Sequence, residues 1–571
     1  LLLLVPYGIN LGASSIWDAN EAFYAETPRE MLDSGDYFAP HFNFVPRAQK
    51  PPLTYWAVLL SYKLFGVSEF AVRVPSALAA MGVIIFCYGL GRRLFNPQAA
   101  IIASIIACTT ARIFILARRL PIDILLLFFL TGTLFFLVRA IQINKRSAWA
   151  YAYLFASLGF LTKGPVALFI PGVSYLVWAL WAHRFRLRAV YIFTGTAIFM
   201  IIALPWYALI YYKHGWTYIA PFFLRDNLGR FASESLGPSR GALYYLAVGL
   251  SDFFPWSILA LCAVGILWIS RKSMAPLKSL EFGLPLIWCV CTFLLFSLSK
   301  NKQEYYIAPL YPAAAIIISG ILDRTIRKNA SEADKTPLLN DASSISAIKA
   351  NMAPGSEKIW CFCAFGLLAL LLLALALFAP YVFRSFMPNI HLVLHYLPSM
   401  VLLAGSMLLI GCLIRKRLRY SLGVLATALW MVYAISAWIY LPELEKYRPV
   451  KRFCQVIEIA SPDGESAGYF RTALPSMTYY LQRPIFEEYD FERMRQRLQS
   501  QERVFCILTE KDYNYLAENK DLEIHILESN PHFSIRFGSL LNSGYIPEEE
   551  LLLISNRPSS KAEPLEDQSV S

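Results

Sequence analysis

The chain has 571 residues, of which 57% are apolar, 15% aromatic and only 16% charged, with a formal net charge of +12. Soluble chains average roughly 45–50% apolar and about 25% charged residues. The composition therefore excludes a single small soluble domain, a disordered chain and a disulfide scaffold, and fits a polytopic membrane protein with a soluble part attached.

The chain opens at Leu1 inside an apolar run, which reads as a truncated first membrane helix rather than a signal peptide, since no cleavage pattern follows. A polar first loop, residues 13–52, comes next. Its segment Ala19–Leu32 is helix-like, with Thr27-Pro28 interrupting it, and the loop carries Asp18, Glu21, Glu26, Glu30, Asp33 and Asp36. Most of these carboxylates fit the solvated face of an amphipathic helix lying on the membrane surface. Asp18 and Glu21 differ, because they stand beside Trp17 immediately after a span, and carboxylates three residues apart share a helix face. A partly desolvated carboxylate can serve as a general base or hold a cation. The loop closes on Lys50-Pro51-Pro52. The prolines fix the chain direction there and hold Lys50 at headgroup depth. Two readings are open for it: a snorkelling side chain or a point charge for a lipid phosphate.

Apolar runs follow near 71–91, 98–117, 121–140, 148–162, 164–182, 190–212, 243–270, 283–298, 305–322, 358–383, 393–414 and 420–441. With the first run this predicts about thirteen transmembrane helices. If the N-terminal side of the first span is cytoplasmic, every second connection carries a basic cluster: Arg92-Arg93, Lys145-Arg146, His183–Arg188, Arg271-Lys272, Arg324–Lys328 and Arg415–Arg419. That is the positive-inside pattern, and it accounts for the net charge without nucleic acid.

The charges on the other side need a different reason. Arg118-Arg119, Lys163, the Lys213–Arg240 loop with Arg230 and Arg240, and Lys300 and Lys302 before Tyr305-Tyr306 all fall outside. Together they set basic residues around one acidic loop, as an anionic ligand would require; scattered surface charge is the alternative. Asp123 lies within a turn of an apolar run, where an unpaired carboxylate is costly, so it needs a partner, a cation or a wet cavity.

The stretch 323–357 reads as a cytoplasmic linker. From Pro442 the composition changes, and β-like runs at Ser466–Phe470, Arg503–Leu508, Glu523–Leu527 and Leu551–Ile554 alternate with helix-like ones at Phe491–Gln501 and Tyr513–Glu518. This predicts a small extracytoplasmic α/β domain over 442–556, followed by a disordered tail, 557–571. Cys454 and Cys506 lie in that domain and are able to pair if it is extracytoplasmic. The seven histidines show no zinc-site spacing and there is no GxxxxGK[ST] loop, so no cofactor is required, although a divalent metal is compatible. The energy for any reaction has to come from the substrate.

The segments Trp17-Asp18-Ala19-Asn20-Glu21-Ala22-Phe23-Tyr24-Ala25-Glu26, Arg29-Glu30-Met31-Leu32, Ser34-Gly35-Asp36, Pro40-His41 and Lys50-Pro51-Pro52 resemble the first outer loop of the GT-C glycosyltransferases of the protein O-mannosyltransferase and aminoarabinose transferase group. Further matches are Leu64-Phe65-Gly66, Val72-Arg73, Ile122-Asp123, Leu161-Thr162-Lys163-Gly164, Leu204-Pro205-Trp206, Arg230-Phe231, Phe254-Pro255-Trp256, and Lys302 with Tyr306 before Pro309.

The resemblance implies an all-α polytopic membrane enzyme of the bacterial cytoplasmic membrane. Such an enzyme takes a sugar from a polyprenyl (undecaprenyl) phosphate donor on the outer side and passes it to a lipid, glycan or protein acceptor. It further implies that Lys50 binds the donor phosphate, aided by Arg230, Arg240, Lys302 and Tyr306. The family usually has Asp where this chain has Asn20, and Asn cannot take a proton at neutral pH. The carboxylate role then falls to Glu21 first, then Asp18 or Asp123, with Lys163 or Arg119 pairing Asp123. A multi-spanning transporter or lipid flippase is the alternative from another class. It expects charges at the bilayer midplane and an internal repeat; the sequence has no such repeat.

Overall fold

The computed structural model describes residues 4–47, 49–119, 122–229, 231, 240–241, 243–269, 278–334, 356–386, 391–461, 464–518, 522–532 and 549–558. The apolar runs from 71 onward form helices. By length and composition five of the described helices are able to cross a membrane, or eight if each bent pair is one span. Glu69–Leu94 and Ile122–Ile143 are uninterrupted. Pro97–Cys108 continues as Ala111–Ala117 after a 63° bend, Ala189–Ile202 as Leu204–His214 after 42°, and Tyr244–Asp252 as Trp256–Ile266 after 115°.

Local chemistry sets several of these boundaries. Ser68 caps Glu69–Leu94 by accepting from the Ala71 amide, and Asn96 caps Pro97–Cys108 by accepting from Gln98 and Ala99. The expected linker begins later than 323, because Leu310–Asp334 is one helix. Asp323 pairs with Arg327 one turn on at 3.2 Å and accepts from Asn96 at 2.6 Å, which carries the helix past its apolar part. Residues 335–355 of that linker and 559–571 of the expected tail lie outside the described residues.

The first loop departs from its expectation. Pro28 does not interrupt it: the helix runs Asn20–Ser34 and ends at Gly35 in the left-handed region, φ +71°. Nor is the helix a solvated surface helix. Glu26, Arg29 and Glu30 are 0%, 3% and 5% exposed. The reason is a cover that the loop sequence does not show, the helix Ser476–Leu481 of the C-terminal unit, whose Tyr479 joins Ala22, Ala25 and Met31 in one apolar cluster. Under that cover Arg29 holds both oxygens of Glu26, at 2.7 and 2.6 Å, and reaches Asp33. A hairpin follows, β1 (His41–Phe42) with β2 (Val45–Pro46), and then the helix Leu53–Phe65, which the sequence reading did not foresee.

The chain after Pro442 builds a sheet of β3 (Ser466–Phe470), β4 (Phe486–Glu488), β5 (Val504–Thr509), β6 (His525–His532) and β7 (Glu549–Ser555), in the spatial order β4-β3-β5-β7-β6. β3 is parallel to β4 and to β5, whereas β7 is antiparallel to β5 and β6. β3, β5 and β7 read as continuous apolar runs because helices cover both faces: Val450–Ala460 and Ser476–Leu481 with one cluster, Phe491–Leu498 and Glu510–Ala517 with another. Cys454 and Cys506 are both free and buried, each in a different one of these clusters.

Candidate functional site

The loop helix Asn20–Ser34 brings its first residues to the ends of the membrane helices. Asn20 is exposed, and its Nδ2 donates to the Tyr305 hydroxyl at 3.3 Å. Tyr305 belongs to the short 3-10 helix Glu304–Ile307, beside Tyr306. Asp123, in the first turn of Ile122–Ile143, is 6% exposed and forms an ion pair with Lys163 at the C-terminal end of Arg146–Lys163. Lys163 also lies over the Tyr306 ring, 4.4 Å from its centroid, and 5.9 Å from that of Tyr305. The partner that Asp123 requires is therefore Lys163. Asn20, Asp123, Lys163, Tyr305 and Tyr306 converge from four separate chain segments.

A second cluster adjoins the first. Lys50 Nζ is 3.1 Å from Asp226 Oδ2, and both side chains are largely buried. Asp226, Arg225 and Arg47 line a cavity of about 370 Å³, and Arg47 stacks on Phe23 at 3.8 Å. Tyr24 links the two clusters. It sits one helical turn after Asn20 on the same face, stacks on Tyr55 at 5.7 Å, and has its hydroxyl pKa raised by burial first, with Arg47, Asp123 and Tyr305 all within electrostatic reach.

The remaining loop carboxylates face elsewhere. Glu21 is 2% exposed and bound by Arg73 through Nε at 2.8 Å and Nη2 at 3.0 Å, while its Oε2 also accepts from the Trp17 amide at 2.7 Å. Arg73 is itself 1% exposed and donates further to the carbonyls of Leu11, Ser14 and Ser15. Glu21 is thus an anchor that ties the loop to the first long helix, and it does not open onto the tyrosine pair. Asp18 accepts from the amide and hydroxyl of Ser476, at 2.7 and 2.8 Å. Burial nonetheless pushes its carboxyl up to about 6. Arg119 lies over Trp17 at 3.9 Å, with Arg448 also over that ring at 4.1 Å, and burial pulls Arg119 down to about 10. Arg119 therefore does not pair Asp123.

Of the remaining phosphate candidates, Arg240 stacks on Tyr244 and lies 3.7 Å from Glu304, next to the tyrosine pair. Lys302 turns inward, 5% exposed, onto the Ser299 carbonyl at 2.5 Å. Arg230 lies outside the described residues. Among the described residues no group of three or more His, Cys, Asp or Glu side chains is placed to share a metal ion. The sequence reading named Arg73, Asp226 and Tyr305 only within longer segments, with no role of their own, and passed over Ser476. Arg73 had a signal, an ionisable residue at the start of an apolar helix; nothing in the sequence pairs Asp226 with Lys50 or points to Ser476.

The arrangement has counterparts among known proteins. ArnT from Cupriavidus metallidurans bound to undecaprenyl phosphate superposes with a TM-score of 0.73 over 98% of this chain and 97% of that one, at 19% identity. The chain has the GT-C fold. The GT-C resemblance extends to sequence: the family profile of dolichyl-phosphate-mannose-protein mannosyltransferase matches residues 49–208. The undecaprenyl phosphate-α-4-amino-4-deoxy-L-arabinose arabinosyl transferase of Edwardsiella ictaluri is 32% identical over 336 residues, 58% of this chain and 59% of that relative. An uncharacterized protein of Aquifex aeolicus is 32% identical over 330 residues, 57% of this chain and 64% of that relative. The chain thus spans about three fifths of the length of these curated relatives. Within the GT-C frame, the matched stretch 49–208 includes Lys50, Asp123 and Lys163.

Proposed function

We propose that this chain is a membrane glycosyltransferase that moves a sugar from a polyprenyl phosphate-linked donor to a lipid, glycan or protein acceptor at the outer face of the bacterial cytoplasmic membrane. The observation that carries this reading is the convergence of the Asp123–Lys163 pair, Asn20 and the Tyr305-Tyr306 pair beside Lys50 and Asp226, in a GT-C fold. The undecaprenyl phosphate in the superposed ArnT supports the donor class.

The chemistry follows from the groups present. The donor phosphate takes the place of Asp226 on Lys50, which stabilises the charge that develops on the leaving oxygen. The acceptor nucleophile attacks the anomeric carbon, the bond to the phosphate oxygen breaks, and the proton of the acceptor passes to Asp123. Asn20 orients the acceptor or the sugar through hydrogen bonds, and Lys163 holds the Asp123 carboxylate in place until the acceptor arrives. Glu21, held by Arg73, positions the loop. The proton-accepting role thus moves from Glu21 to Asp123, because both Glu21 oxygens already have donors.

A transporter would place its charges in a wet midplane site. The Arg112–Asp252 pair beside the 115° bend is closed on itself by two bonds of 2.6 and 2.9 Å and by the Tyr311 hydroxyl. The test of the transferase reading is a panel of labelled undecaprenyl phosphate sugars, 4-amino-4-deoxy-arabinose and hexoses, presented to the reconstituted protein. Release of undecaprenyl phosphate from one of them is expected. Movement of intact donor across the bilayer without release would favour the flippase.

A further inference from the structure

A cavity of about 710 Å³ lies between the start of the first loop and the C-terminal sheet, with neither Tyr305 nor Tyr306 in its lining. It opens at the carboxyl ends of β3 and β5, lined by Arg471 and Thr472 from the segment after β3 and by Thr509 and Lys511 from the end of β5 and the segment after it. From β3 the chain runs to β4 on one side of the sheet; from β5 it runs to β6 and β7 on the other. Two neighbouring parallel strands whose connections diverge leave a crevice at their carboxyl ends, and open α/β sheets bind ligands in that crevice.

The lining chemistry is that of a binding site. Arg471 and Lys511 are exposed to the cavity, and Arg448 adds a third cation whose guanidinium donates to the Ser15 and Ile16 carbonyls, at 2.7 and 2.6 Å. Two carboxylates face them. Asp512 accepts from Thr509 at 2.8 Å and stands 3.7 Å from Arg471, and Asp18 is held by Ser476. The Thr472 hydroxyl is buried and has no hydrogen-bond partner among the described residues, an orphan that a ligand hydroxyl would satisfy. Cations in excess of carboxylates, with hydroxyls between them, suit a ligand that is both anionic and rich in hydroxyl groups.

We infer that the crevice at the carboxyl ends of β3 and β5 is an accessory site for a saccharide bearing a phosphate, separate from the Lys50 cluster. The phosphate lies against Arg471 and Lys511, and the sugar hydroxyls meet Thr472, Thr509 and Asp18. Ser476 follows β3 in the same unit and holds Asp18, two residues before Asn20, so an occupied crevice bears on the start of the catalytic loop.

The test is calorimetric titration of the full chain in detergent micelles with glucose 1-phosphate, with inorganic phosphate, glucose and dodecyl β-glucoside 6-phosphate as further arms. Saturable binding of glucose 1-phosphate, at least tenfold tighter than either phosphate or glucose, is expected. So is a tenfold or greater weakening in Arg471→Glu and Lys511→Glu, and a smaller one in Thr472→Val, each with an unchanged unfolding temperature. If the dodecyl compound binds more than tenfold tighter, the site reads a lipid headgroup; if equally, a free sugar phosphate. Either result supports the site. Equal affinity for inorganic phosphate, or unchanged affinity in both charge reversals, overturns it. No donor is present, so the outcome is independent of whether the chain transfers sugar.

Discussion

Lys50 and Asp226 meet at 3.1 Å across 176 residues of sequence, one at the end of the first loop and the other in the segment before Arg240. Asp226 is a carboxylate in the place proposed for the donor phosphate, so the two anions compete for one ammonium. Asp226→Asn should therefore tighten donor binding several-fold, whereas Lys50→Ala should abolish it and Lys50→Arg retain part of it, because charge survives but geometry differs. Equilibrium binding of a labelled undecaprenyl phosphate analogue to the purified variants measures all three. Unchanged affinity in Lys50→Ala would return Lys50 to an ordinary snorkelling lysine.

Glu21 should behave as a structural residue. Removing one partner of a buried ion pair leaves the other charge without compensation, at a cost of about 3–5 kcal/mol, whereas replacing both with apolar side chains of similar volume is close to neutral. Glu21→Gln is expected to lower the unfolding temperature markedly, and Glu21→Met with Arg73→Met to recover most of the loss. If Glu21→Gln unfolds like the parent chain but loses turnover, Glu21 is catalytic after all.

Asp18 carries a pH dependence of the less usual sign. Its carboxyl rises from the ordinary 3.8 to about 6 in the fold, mainly through burial. The folded chain thus binds this proton more tightly than the unfolded chain does, and the contribution to stability falls as pH rises through about 4 to 6. Unfolding temperature followed across that window should drop less in Asp18→Asn than in the parent chain. Glu26, raised to about 7 by burial despite Arg29, acts in the same direction up to that pH and is common to both proteins. An identical pH profile in the two would show that Asp18 titrates normally.

These residues also show what a single sequence reveals. The long apolar runs became helices because an apolar run of that length has few other ways to satisfy its backbone. Their bends escaped notice, since Thr109-Thr110 and the turn at Phe253 lie within runs that read as continuous. Asp123 was legible as a residue in need of a partner. The loop carboxylates were less so: Glu26 and Glu30 read as solvated because their cover, Ser476–Leu481, comes from the far end of the chain. Glu21 read as a base because nothing in the loop announces Arg73. The three-residue strand β4 carries too little pattern to stand out, whereas β3, β5 and β7 are apolar enough to be seen.

In the proposed transfer Asp123, and not a carboxylate at position 20, takes the proton. The initial rate of undecaprenyl phosphate release in proteoliposomes measures it directly, in the parent chain, Asp123→Asn and Asn20→Asp, each with donor affinity measured alongside. Turnover by the parent chain is expected, with a fall of roughly 10²–10⁴-fold in Asp123→Asn and donor binding kept. No more than a modest change is expected in Asn20→Asp. Unchanged turnover in Asp123→Asn, or a parent chain that stays inactive until Asn20→Asp restores a carboxylate, would contradict that role for Asp123.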